Sequence, residues 1–597
     1  MAIDNKGNVT LKEAKEESLS ECPTGTCVNI DYADTRYFSK IALDYIQGSE
    51  SLKPFYQHLP DDSGLSSAMA LKAGYPLQNR QALVANLKKH YEFGHDLELN
   101  SGHDAARSAK GGKTGAAVLQ PVLEMFPKVQ ENIAALLSEN TFTVTTAHQP
   151  VIFGGPLYLI YKILHVIQLA EKLNEQYKTA GKYFVPFYYM GSEDADLEEI
   201  GQMQVDGKPY KWQTDQTGPV GRMLVDQPLL QLIDELYGQI GVAPHGPEFT
   251  RLLKDSYQKG RSIQEASFAF IHQLFGKYGL LILMPDDGSL KKSFEPVVIK
   301  ELTEGFSHKA LEKTTAAIEK AGYKVQTHGR PVNLFYQPGH ERLRIINAGD
   351  QFEIEGKEKL KTAAEIIQEV KDKPELFSGN VVLRGPFQET VLPNIAFIGG
   401  GGELAYWLEM KGVYEAVHIP YPVLLLRNSF LLITQAQKAI MDKLGLKPAD
   451  LFLPLHELQD LLLKNRGKDI DLNSELESLQ AIYDQLQQKA AAIDVTLKGH
   501  VAALYKGVEH KAHRLLSKMK TSQRKILETE TAQLKFLKQH LFPAGSLQER
   551  TENIAGFYAR YGACLLDILK DVSATTEQEF RVVFLPEAER AEAGYRG

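Results

Sequence analysis

The chain has 597 residues, 43% hydrophobic and 24% charged, the composition of a globular protein long enough for about four domains. A net charge of −8 argues against a general nucleic-acid binder, which carries a basic excess. The most apolar runs, Leu280–Met284 and Val423–Leu426, are far too short to span a bilayer, and the opening MAIDNKGNVT lacks the apolar stretch of a signal peptide, so a cytoplasmic location is expected.

Residues 1–30 are polar and read as a poorly ordered lead. Cys22, Cys27 and Cys564 are too few for a disulfide framework. Cys22 and Cys27 have zinc-compatible spacing, but no second Cys/His pair follows, so no metal site is expected. Ser39–Leu137 reads mainly as helices, including Gln81–Phe93 and Val118–Leu137, parted by a Gly/Ser/Lys-rich loop over 100–115.

The chain is organised around Thr141–Tyr177. Phe142, Val144 and Thr146 alternate as in a strand, and the chain then breaks at Pro150 and at Gly154–Gly155–Pro156. From Leu157 the apolar positions follow helical spacing, with Pro156 near N1. Strand, glycine turn and helix is the opening unit of a nucleotide-binding sheet, where free amides and the helix dipole attract phosphate or carboxylate. His148, Gln149 and Lys162 flank the turn with donors. An ordinary turn with a core helix behind it is the alternative.

A second strand, Tyr183–Met190, runs into Gly191–Ser192–Glu193–Asp194–Ala195–Asp196–Leu197–Glu198–Glu199. Capping by Ser192 and helix-dipole complementation account for one or two of these acids. Five carboxylates at the carboxyl end of a parallel strand exceed that need, which points to Glu193, Asp194 and Asp196 as functional. A hairpin over Met203–Trp212 turns at Asp206–Gly207, and Pro228–Gln273 is helical. A third strand, Leu280–Met284, ends in Asp286–Asp287. A helix over 309–321, strands near 333–336 and 343–347, and a helix over 363–371 follow.

The core resumes at Asn380–Arg384. Strand Ile395–Ile398 enters Gly399–Gly400–Gly401–Gly402–Glu403 and a helix from Leu404 to about Val417; the last core strand is Val423–Leu426, followed by Arg427. Two glycine turns plus acid-tipped strands outline a polar crevice along the carboxyl edge of one sheet.

From Leu455 the pattern changes. Leu476, Leu479, Tyr483, Leu486, Ala490 and Ile493 form a coiled-coil seam, and Asp494 starts a second helix with its own seam through Leu504 and Leu515 to Leu541. Pro543–Ala544–Gly545 stops an antiparallel pair. Leu472, Ile482, Leu516, Leu527 and Phe536 fall on other faces, a second apolar stripe that predicts pairing with another copy. The basic run from Lys511 to Lys525 reads as a solvated face, and Lys518–Met519–Lys520–Thr521–Ser522 within it as a chance imitation of a synthetase ATP loop. A helix over Asn553–Leu569 docks on the core.

The motifs TAHQPVIFGGPLYLIYK (146–162), VPFYYMGSEDADLEEI (185–200), LPNIAFIGGGGELAYW (392–407), PYPVLLLRNSF (420–430) and LFPAGSLQERTENIAGFY (541–558) resemble BshC, the cysteine-adding enzymes of bacillithiol biosynthesis. The family more often reads Thr-Gly-Gln-Gln, Phe-Thr-Gly-Pro and Gly-Gly-Pro-Gly-Glu, so His148, Gly154 and Gly401 are departures. The resemblance implies an α/β fold: a Rossmann-like parallel-sheet core with two connecting insertions, plus a long coiled coil that pairs subunits as a homodimer. It also implies a ligase joining the carboxyl group of cysteine to the amine of glucosaminyl-malate. Residues 1–138 are then a helical lead and 139–200, 276–299 and 379–454 the three parts of the core. Residues 201–275 and 300–378 are the insertions, 455–545 the coiled coil and 546–597 a docking segment.

The resulting catalytic candidates are Glu193, Asp194, Asp196 and Glu403. The candidates for binding substrate or nucleotide are His148, Gln149, Gly154, Gly155, Lys162, Ser192, Arg384, Gly399, Gly400, Gly402, Trp407 and Arg427. A free carboxylate does not form an amide at useful rates, so activation as a phosphate or adenylate, from ATP or ADP, is expected. The competing readings are a synthetase-like nucleotidyltransferase acting on another amino acid, and a nucleotide-sensing scaffold without catalysis.

Overall fold

A computed structural model describes residues 2–3, 9–10, 25–75, 80–92, 126–465, 471–526 and 528–588. Cys22, the loop over 100–115, the first half of the helix expected from Val118, and Leu527 lie outside these residues. At the centre is the predicted strand–turn–helix unit, strand β1 (Thr141–His148) and helix α1 (Leu157–Gln176). There follow β2 (Tyr183–Met190), β3 (Leu281–Leu283), helix α2 (Val381–Val391), β4 (Asn394–Gly399), α3 (Gly401–Glu409) and β5 (Val423–Leu426). The strands pair in the order β5-β4-β1-β2-β3, every neighbour parallel.

The unbroken apolar runs of β2 and β5 suit a sheet covered on both faces. One cover is α1, apolar nearly all round; its buried set runs from Leu157 to Leu173 and includes two polar residues, Lys162 and His165. His165 is satisfied there: Nε2 donates to the Thr575 carbonyl at 2.7 Å and Nδ1 accepts from the Asn428 amide at 3.2 Å. Burial holds its pKa down at about 4. Chain order reverses between β1 and β4, and a crevice opens at the carboxyl ends of strands at such a switch point.

The segment between β2 and β3 holds the expected hairpin, Gln202–Val205 with Lys208–Lys211, and three helices over 227–240, 246–256 and 263–275. Asp206 and Gly207 both have positive φ (47° and 80°), the turn that matches strand twist. Between β3 and α2 lie helices over 295–304 and 306–320 and a five-stranded antiparallel sheet that ends in Phe377–Gly379, against α2.

Several expectations change. Thr26–Ile30 is an edge strand rather than poorly ordered lead: it pairs antiparallel with Phe580–Phe584, which pairs parallel with Phe430–Ile433. Only Ile30 of that strand is buried, so no apolar alternation announces it. β5 is therefore followed by a further strand in a second sheet. The C-terminal helix is two helices, Ala555–Tyr561 and Cys564–Asp571, broken at Gly562, whose φ of +63° and contact with His245 exclude a side chain. Cys27 is a free, exposed thiol and Cys564 is disulfide-bonded.

The helices Asn473–Ile493 and Leu497–Ile526 form the antiparallel hairpin, with Glu528–Leu541 below them. Asp494 accepts from the Thr496 amide at the bend. Leu534, Leu537 and Leu541 anchor the base, whereas no residue of 473–493 is buried. Leu486, Leu504 and Leu515, expected within the seam, are 46%, 51% and 54% exposed.

Candidate functional site

The ends of β1, β2, β4 and β5 converge on one cavity of about 410 Å³, the size that takes a small-molecule ligand. The structure brings ten of the sequence-derived candidates to its wall: His148, Gln149, Lys162, Glu193, Asp194, Arg384, Gly400, Gly402, Glu403 and Arg427. The sequence did not single out Tyr158, Tyr189, Glu199, Arg342, Tyr406 and Arg550, which share that wall. Glu199 belongs to the acid run; the others carried no local signal.

Six candidates lie outside the lining. Gly154 and Gly155 shape the turn, with φ of +82° and +58°, but the turn is closed by the distant C-terminal segment. Asn553 donates to the carbonyls of Phe153 and Gly155, and the Leu157 amide donates to the Glu552 carbonyl. The Gly155 amide itself bonds the Ile152 carbonyl, so that amide is not free for a ligand. Ser192 packs its Cβ against Gly221. Asp196 caps the short helix Leu197–Ile200 through the Glu199 amide. The Gly399 carbonyl accepts from the Arg427 amide, tying β4 to β5. Trp407 is buried and stacks on Phe397 at 4.3 Å.

On the α3 side, Lys162 reaches from the second turn of α1 to the Ala147 carbonyl (3.0 Å) and pairs with Glu403. Glu403 also accepts from the Gly400 amide at 2.8 Å, a local cap that fixes the glycine turn. Burial opposes ionisation of both. It lowers Lys162 despite Glu403, whereas in Glu403 the opposing pull of Lys162 and the Gly400 amide wins and its pKa is lowered. Arg427 is buried against Glu549 at 2.7 Å and also donates to the Asn428 carbonyl and Ser429.

On the β2 side, Asp194 accepts from Gln149 (3.1 Å), Arg342 (3.3 Å) and the Ala195 amide (2.8 Å). Arg342 comes from the second insertion and stacks on Phe335 at 3.8 Å. Glu193 is buried against Lys291 (2.6 Å), which also pairs with Asp286 (2.8 Å); Arg222 grips Asp286 bidentately at 2.6 and 2.9 Å. Burial raises Glu193 in spite of Lys291, while Asp286 stays below the usual carboxylate range because Lys291 and Arg222 outweigh its burial. Glu199 is raised by burial and by Asp196 and Asp194 beside it.

Between these two sides stands His148. Its Nδ1 lies 3.1 Å from the Gln149 carbonyl and its Nε2 2.9 Å from the Tyr158 hydroxyl. A carbonyl only accepts, so Nδ1 carries the proton and Tyr158 donates to Nε2. Burial, reinforced by Lys162, lowers the imidazole to about 4 and keeps it neutral.

Residues 112–428 match the family model "Bacillithiol biosynthesis BshC, N-terminal Rossmann-like domain", and residues 430–585 match its "C-terminal coiled-coil domain". A relative from Flavobacterium johnsoniae is 34% identical over 560 residues, covering 93% of this chain and 99% of that one. One from Christiangramia forsetii is 34% identical over 569 residues, covering 93% and 98%. One from Natranaerobius thermophilus is 26% identical over 542 residues, covering 88% and 94%. All three bear the name "Putative cysteine ligase BshC".

Proposed function

The chain belongs to the bacillithiol biosynthesis BshC family, and from that premise we propose that it is a ligase that joins the carboxyl group of cysteine to the amine of glucosaminyl-malate. The observation that carries this reading is one cavity at the switch point that brings Asp194 and Glu199 from the end of β2 to the same space as Lys162, Arg384 and Arg427, with Glu403 and Arg342 paired to Lys162 and Asp194 within it. Asp194 and Glu199 suit an ammonium group, the charged form of the attacking amine.

The amine must lose a proton as it attacks. His148 is a poor base: with its pKa held at about 4, protonating it at pH 7 costs roughly 4 kcal/mol. Glu199, raised above the usual range, is the better acceptor, and we assign it that role. His148 instead orients Tyr158, whose oxygen is left to accept from a bound substrate. Negative charge that develops on the attacked carboxyl group falls to Lys162, whose third ammonium proton is not engaged by Glu403 or Ala147.

A nucleotide such as ATP would supply the activation that a free carboxylate lacks. The donors fit a phosphate at α3: the first helical amides have no intrahelical acceptor, and a Cβ at Gly402 would meet nothing nearer than Gln326 at 3.8 Å, so the approach is open. Gly401 and Gly402 would hold it, beside Lys162. The hairpin, with its exposed apolar seam, is proposed as the homodimer interface. The test of the reaction is incubation with cysteine, glucosaminyl-malate and ATP, ADP or cell extract, followed by mass spectrometry. The conjugate is expected, and its absence with every donor overturns the assignment.

A further inference from the structure

Arg384 and Tyr189 form a corner of the cavity that the acids and the glycine turn leave unexplained. Arg384 reaches the cavity from α2 and donates to the Tyr406 hydroxyl at 2.8 Å. Among the described residues it pairs with no carboxylate, and the bond to Tyr406 takes one of its five donors. Tyr189 on β2 lines the same wall, is 1% exposed, and its hydroxyl has no hydrogen-bond partner. A buried hydroxyl without a partner carries a desolvation cost that a ligand acceptor would remove. The charged groups sensed by Tyr189 are Glu193, Arg384 and Asp286. Both acids are already paired with Lys291, which leaves Arg384 as the unmatched charge at this corner.

We propose that Arg384, Tyr189 and Tyr406 form a carboxylate subsite that holds the acidic arm of the amine substrate. A guanidinium flanked by phenol donors is a set of N–H and O–H groups, the complement of a carboxylate and a poor host for an ammonium. The inference rests on the function proposed above and adds to it: with the ammonium at Asp194 and Glu199, the substrate spans the cavity, and its malyl group lies under α2. Tyr189 becomes a specificity-determining residue, since its hydroxyl meets a group that plain glucosamine lacks.

Isothermal titration with glucosaminyl-malate in the absence of cysteine and nucleotide, when no conjugate can form, and with glucosamine separates this subsite from the reaction. Wild-type protein is expected to bind the malyl compound, and Tyr189→Phe to bind it at least ~10-fold more weakly, the usual loss for a hydrogen bond to a charged group. Arg384→Lys is expected to lose more, and glucosamine binding to be the same in all three proteins. Circular dichroism confirms the fold, and Tyr406→Phe stands in should Tyr189→Phe fail it. Conjugate formation by wild type with unchanged affinity in these variants overturns the subsite and leaves the ligase standing. Binding that depends on Tyr189 and Arg384 without any conjugate overturns the ligase and leaves the subsite. No binding of the malyl compound by wild type overturns the subsite.

Discussion

Replacing Glu549 by Gln isolates one charge at the junction between the core sheet and the C-terminal segment. The Arg427 and Glu549 side chains are 4% and 0% exposed, with the N–O contact at 2.7 Å. Charge centres roughly 4 Å apart attract by about 4 kcal/mol at an effective dielectric near 20, and breaking a buried pair costs about 3–5 kcal/mol because the surviving ion stays buried. Gln keeps the shape and one acceptor oxygen, so the loss is electrostatic. The chain has two tryptophans, both buried, Trp212 in the first insertion and Trp407 in the core. In a Trp212→Phe background, urea unfolding followed by Trp407 fluorescence reads the core alone. Glu549→Gln is expected to lower its stability by about 3–5 kcal/mol. The pair Arg427→Met with Glu549→Met is expected to recover at least half, since a neutral pair leaves no ion to strand. A Glu549→Gln protein within about 1 kcal/mol of the parent, or a double variant no better than the single, refutes the argument.

Three further expectations follow from other parts of the structure. Asp194→Asn removes charge-assisted acceptance worth about 1.5–3 kcal/mol, so kcat/KM for the amine substrate should fall roughly 10- to 100-fold while Tm moves little; a large Tm drop would mark Asp194 as structural instead. His165 has a folded pKa of about 4 against roughly 6.5 unfolded, so the unfolded chain binds the extra proton and stability is lost as pH falls from about 6.5 to 4. His165→Gln should flatten that slope by about one proton in a denaturation series, and an unchanged slope would clear His165. Ile482→Lys with Leu486→Lys, both on the exposed hairpin face, should halve the mass seen by light scattering with the circular dichroism preserved; an unchanged mass would remove the hairpin as the interface.

The sheet was legible because β1 alternates apolar and threonine positions up to the break at Pro150, while β2 and β3 are short apolar runs that end at Gly191 and at Pro285–Asp286, patterns that survive without tertiary information. Once the strands are parallel their carboxyl ends must share an edge, which is why Gln149, Asp194 and Gly402 meet although they lie far apart in the chain. The acid run was over-read in one place: Asp196 does the ordinary work of an N-cap, and no pattern distinguishes it from Asp194 two residues before. Arg342 was invisible because its role depends on how an insertion folds back, and the turn at Gly154–Gly155 looked open because the group that closes it, Asn553, is 398 residues away. The hairpin's heptads were plain to read, but heptad spacing says which residues want cover and not whether one partner helix supplies enough of it.

That closure by Asn553 has a bearing on how the protein is made. A ribosome adds about 5–20 residues per second, so the 398 residues between the Gly155 carbonyl and its donor take roughly 20–80 s to emerge. During that interval the first crossover of the core has two carbonyls without donors, and Arg427, once made, waits for Glu549. The Rossmann-like part therefore leaves the exit tunnel before all of its partners exist. A chain that ends before Glu549 lacks both contacts, and residues 112–428 expressed alone would lack them as well.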